Sequence, residues 1–144
     1  MKIVYNNCYG GFSLSHDAIL AYAKLKGLTL YPETSDCKMV IYWTTPPEDR
    51  ADLIKGADAW KLATTEQRVA SNEKHRKSVL YDRDIPRDDP DLVAVVEELG
   101  EKASGRCASL MIENLAPGTL YRITEYNGNE SVETMESVDW NVAK

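Results

Sequence analysis

Asn127-Gly128 is the strongest local constraint in this chain. A two-residue hairpin turn needs positive φ at both central positions, and Asn-Gly adopts that geometry at little cost. The dipeptide lies between two alternating segments, residues 120–126 (LYRITEY) and 130–135 (ESVETM). The chain is therefore predicted to end in an antiparallel hairpin, entered through the Pro117-Gly118 turn.

The N-terminal end reads as strand, glycine turn, helix. Residues 2–7 (KIVYNN) form the strand, with Ile3 and Tyr5 on one face. CYGGF at 8–12 follows, with Gly10 and Gly11 removing two side chains at the junction. Such a pair serves either a turn with φ > 0 or a close approach of backbone to a ligand. Ser15 is a good N-cap for the next segment, and Ala18, Ala21, Tyr22 and Leu25 supply an apolar stripe. Gly27 is the natural residue just past the helix end.

Further along, residues 28–31 suit a short extended piece. Residues 39–44 (MVIYWT) are the densest β-forming stretch, closed by Pro46 and Pro47. Composition then shifts to alanine and charge. Leu53, Ala57 and Trp60 suggest helix, broken near Gly56, so residues 45–77 read as a helical insertion. A short strand is expected at 78–81. Asp88 or Asp89 can cap the next helix, with Pro90 in its first turn. Leu92, Val95, Val96, Leu99 and Ala103 form its stripe, Gly105 is expected to stop it, and residues 107–115 return as a strand. The expectation is a single α+β domain over residues 1–144. It has a small mixed or antiparallel sheet, two main helices, a C-terminal hairpin and the insertion.

Charge and cysteine usage narrow the function. The net charge of −6 opposes binding to duplex nucleic acid, whose phosphates favour basic surfaces. No apolar run approaches the ~18 residues of a membrane span, and MKIVYNNCYG lacks a secretory apolar core. A cytoplasmic protein without membrane attachment is expected. Three cysteines with no CxxC pair suggest reduced thiols.

Catalytic patterns are weak. His16 and His75 lack a Cys or Ser partner at motif spacing and read as solvated side chains. HExxH, CxxC and EF-hand spacings are absent, so neither metal nor cofactor is expected. Glu97 and Glu98 fall on the polar side of a helix. Cys8 lies beside a helix start, where a thiolate is stabilised, but no base accompanies it. Cys107 reads as buried at a strand start. The glycine pair with Ser13 and Ser15 at a helix N-terminus favours an anion, though the same residues suit a plain turn. Arg87, Arg106 and Arg122 are candidate anion ligands. Arg122 near Tyr121 and Tyr126 can grip phosphate beside a base, or simply pair with Glu133 across the hairpin.

Three segments carry a family resemblance: NNCYGGFSLSHDAILAYAKLKG, IPRDDPDLVAVVEELGEKASGRCASLMI and YRITEYNGNESVE. Together they resemble the type one Thoeris anti-defence sponges of phages, over the first thirty residues and about 84–132. Residues 45–77 match no part of that pattern. The resemblance implies a binding protein, not an enzyme. Such a sponge captures glyco-cyclic ADP-ribose, the signal made by bacterial TIR-domain proteins, and keeps it intact inside the host cytoplasm. It implies a homo-oligomer, dimer or hexamer; some hexameric members also hold cyclic trinucleotides at a separate site. The implied ligand-binding residues are Gly10, Gly11, Phe12 and Ser13 near phosphate or ribose and Arg106 and Arg122 on pyrophosphate, with Tyr126 or Phe12 stacked on adenine. Ser104 departs from the pattern, where asparagine is expected. The competing readings are an enzyme that degrades a cyclic nucleotide signal and a phage protein that blocks a host protein by direct binding.

Overall fold

The structure is a computed structural model and describes residues 1–143. The fold is α+β, with four α-helices and three two-stranded antiparallel sheets among the described residues. The chain divides into two compact units, one formed by residues 1–26 together with the described residues from 82 onward, the other by residues 27–81.

In the first unit, β1 (Lys2–Asn6) pairs antiparallel with β4 (Leu110–Asn114), with Val4 opposite Ile112. Ile3 and Val4 are both fully buried. The strand is therefore covered on both faces, with Ile3 buried and Tyr5 half-buried on the face they share. Helix α1 (His16–Leu25) starts as the sequence dictates: the Ser15 hydroxyl accepts from the Ala18 N–H. Gly27 takes φ +67° just beyond its end. Its buried stripe is Ala18, Ile19, Tyr22 and Ala23, while Leu25 is exposed.

Helix α4 (Pro90–Leu99) has Asp89 as N-cap, accepting from the Asp91 N–H, and buries Leu92, Val93, Val95 and Val96 against α1 and β1. It ends at Gly100 (φ +57°) and tightens into a 3-10 turn over Gly100–Ala103. Gly105 is not its stop. A Cβ there would lie 2.2 Å from the Ser13 Oγ, so Gly105 is needed for close packing. Cys107 is exposed, because β4 begins only at Leu110.

Strands β5 (Tyr121–Tyr126) and β6 (Asn129–Thr134) form the expected hairpin, with Asn127 at φ +49° and Gly128 at φ +84° in its turn. β6 also contacts β1.

The second unit pairs β2 (Tyr31–Thr34) with β3 (Val40–Trp43). Residues 78–81 contribute only a single bridge, Val79 to Trp43, rather than a strand. The helical middle is present as a 3-10 turn (Pro47–Arg50), α2 (Ala57–Leu62) and α3 (Thr65–Lys77). Gly56, at φ +85°, marks the expected break. Leu53 lies outside α2 and packs instead with Trp43 and Val79, joined by Ile41. A reciprocal Thr64–Gln67 capping box starts α3. His75 is not a free surface side chain: it sits edge-on to Trp43 and its Nδ1 is 3.2 Å from the Tyr81 hydroxyl. Among the described residues no helix is long and apolar enough to cross a membrane.

Candidate functional site

In the first unit, two turns meet. A Cβ on Gly128 would lie 2.2 Å from the Gly11 nitrogen and 2.8 Å from the Gly10 nitrogen, so the hairpin turn rests directly on the glycine pair. Asn6, fully buried, ties them together. Its Nδ2 donates to the Cys8 and Gly128 carbonyls, both at 2.7 Å, and its Oδ1 accepts from the Ser109 N–H at 2.8 Å.

Beside this junction lies a cavity of about 490 Å³ lined by Gly10, Gly11 and Phe12, by Arg83 and Arg87, and by Glu125, Asn127, Gly128 and Glu130. That volume falls in the range of about 300–1,000 Å³ typical of small-molecule sites. Arg87 is its best-defined cation. The guanidinium lies 3.2 Å from the centre of the Phe12 ring, and its Nη2 donates to Glu130 Oε1 at 2.8 Å. Glu130 is 6% exposed, and its Oε2 accepts from the Asn6 N–H at 2.8 Å. Arg87 Nη1 is buried with no hydrogen-bond partner.

Burial pushes the Arg87 guanidinium down from its usual value, and Glu130 and then Asp82 oppose that shift. An arginine nonetheless stays charged in proteins. The two carboxylates of the lining are already engaged: Glu130 as described, and Glu125 Oε1 with the Gly128 N–H at 3.1 Å. The cations of the lining are Arg87, whose Nη1 is buried without a partner, and the exposed Arg83; the exposed Glu125 keeps its charge beside them. Arg83 reaches over Gly11, where an added Cβ would meet its Nη2 at 3.3 Å.

The structure brings together Gly10, Gly11 and Phe12 of the sequence-predicted site residues. Phe12 is 3% exposed, and Arg87 already lies over its ring. Ser13, Arg106, Arg122 and Tyr126 do not line this cavity. Ser13 packs against Gly105, whose N–H donates to the Ser13 carbonyl at 2.9 Å. Arg106 is exposed on the turn before β4. Arg122 pairs with Glu133 across the hairpin at 2.7 Å, and Tyr126 is 73% exposed. The Ser104 hydroxyl accepts from the Leu110 N–H. Sequence reasoning missed Asn6, Arg83 and Glu130, and passed over Arg87 for Arg106 and Arg122. The IPRDDP segment that carries Arg87 was the available signal.

Among the described residues, no group of three or more His, Cys, Asp and Glu is placed to hold a metal ion. No protein-family model, curated protein or solved structure matches this chain.

Proposed function

We propose that this protein binds a cyclic ADP-ribose-type signal, glyco-cyclic ADP-ribose, and sequesters it intact, so that a Thoeris effector is not activated. One observation carries the reading. The three segments that resemble the sponge family meet at one cavity: Gly10, Gly11 and Phe12 from the first, Arg87 from the second, and Asn127, Gly128 and Glu130 from the third. Residues that serve only local turns have no need to converge on a cavity around a guanidinium nitrogen left without a partner.

In this reading Arg87 Nη1 and Arg83 take the pyrophosphate, and charge-assisted hydrogen bonds of this kind are the strong ones. The side-chain-free Gly11 lets the ligand approach the backbone. A sponge competing with a receptor at about 1 nM needs about −12 kcal/mol. A cyclic ligand helps by losing little conformational entropy on capture. Arg106, Arg122 and Tyr126 stand outside the cavity of one chain, and a homo-oligomer would supply them from a neighbouring copy.

The test is to incubate the protein with glyco-cyclic ADP-ribose, remove free ligand, heat the complex and identify what is released. Intact ligand is expected. A cleaved product would establish an enzyme instead, and no retention would overturn binding and leave a host protein as the partner. Light scattering checks the assembly, with a dimer or hexamer expected.

A further inference from the structure

A second polar site lies wholly within the other unit. Arg50, in the Pro47–Arg50 turn, is 4% exposed, unusual burial for an arginine. Its guanidinium lies 4.3 Å from the centre of the Trp43 ring, and its Nη1 donates to Glu33 Oε2 at 2.9 Å. Two donors here are buried without a hydrogen-bond partner: Arg50 Nε and Trp43 Nε1. Native structures leave few such groups, so two on adjoining side chains call for an explanation.

Both residues line a cavity of about 240 Å³ that also includes Glu33, Lys55 and His75. With Arg50 and Lys55 set against the single carboxylate of Glu33, the lining favours an anion. The volume is below the range of drug-sized ligands, so the occupant is small. Glu33 itself shows what chemistry the guanidinium takes, for it offers a carboxylate from a largely exposed side chain. It engages Nη1 and leaves the Nε edge, one of the two edges through which arginine grips oxyanions in fork geometry.

We propose that this cavity binds a small oxyanion, a phosphate or carboxylate group, received by Arg50 Nε and Trp43 Nε1 as the exposed Glu33 side chain shifts aside. The site is separate from the proposed nucleotide cavity and does not depend on it.

The indole N–H of Trp43 and the Nε–H of Arg50 are resolvable by nitrogen–proton correlation NMR. Titration of the full chain with inorganic phosphate, and separately with acetate, should move both resonances saturably, while chloride at matched ionic strength should not. The stronger of the two arms identifies the group. Arg50→Lys keeps the charge but loses the fork and should weaken binding at least tenfold, with folding checked by circular dichroism. Glu33→Gln removes the negative charge beside the guanidinium and should tighten binding severalfold. The proposal is overturned if neither anion shifts these resonances beyond chloride, or if Glu33→Gln leaves the titration unmoved.

Discussion

The Arg87–Glu130 pair lends itself to a double-mutant test, because each partner also serves a second group. Arg87→Met leaves the buried Glu130 carboxylate holding the Asn6 N–H but without its cation. Glu130→Gln leaves the guanidinium, already lacking a partner at Nη1, beside a neutral amide. Removing one member of a buried pair costs about 3–5 kcal/mol, since the other charge remains desolvated. Arg87 is less buried than Glu130, with side-chain exposures of 19% and 7%, so about 3 kcal/mol is expected for each single change. The double variant keeps an acceptor for Asn6 and sets a thioether on the Phe12 ring, a favourable contact. It should lose only about 1–2 kcal/mol, giving a coupling of about 4–5 kcal/mol. Tryptophan emission is a poor probe, because Trp43 and Trp60 belong to the second unit and Trp140 is exposed. Amide hydrogen exchange at Val4, whose N–H donates to the Arg87 carbonyl, reports on the right unit. Additive single effects, or singles that cost under 1 kcal/mol, would refute the buried-pair reasoning.

Three further outcomes follow from the same geometry. Gly128→Ala should destabilise by at least about 2 kcal/mol more than Gly118→Ala in denaturant unfolding followed by circular dichroism. Both glycines have φ +84°, but only at Gly128 would the Cβ strike backbone, so equal costs would deny the close approach. Gly11→Val should abolish capture of glyco-cyclic ADP-ribose at temperatures where the variant stays folded, measured by calorimetry; normal binding would reduce the glycine pair to a turn. At high pH, Tyr22 matters. Burial first, then its hydrogen bond to Asp89, pushes its pKa up to about 12. The folded state thus holds this proton more tightly than the unfolded chain, and stability present below about pH 10 is lost as pH rises from 10 towards 12. Lys26 acts in the same direction: hydrogen bonds to Asp89 and Asp91 raise its pKa, so its contribution too is lost at alkaline pH. Unfolding measured from pH 9 to 11.5 should show a shallower loss in Tyr22→Phe than in wild type.

Local chemistry made much of this fold legible. Ser15 as cap, Gly27 past the helix end, Pro90 in a first turn and Asn127-Gly128 in a hairpin act within a few residues, and each stands where the sequence implies. Errors arose where distant chain decides. Gly105 resembles a helix stop, yet its lack of a side chain answers to Ser13, and Gly100 ends the helix. Periodicity placed Leu53 on a helix, but the Trp43–Val79 cluster takes it. The candidate site shows the same division. Gly10, Gly11 and Phe12 stand out within five residues of sequence. Arg87 and Glu130 are 43 residues apart, and Asn6 and Glu130 are 124 apart. Nothing in the spacing of those residues links them. The Gly128 approach explains why they meet: the hairpin turn can lie on the Gly10-Gly11 backbone only without a Cβ. Once it does, β6 runs beside β1 and carries Glu130 to the Asn6 N–H. The carboxylate then fixes Arg87 over Phe12, with Nη1 left unpaired. Gly128, chosen locally for its positive φ, thus also sets the long-range geometry of the cavity.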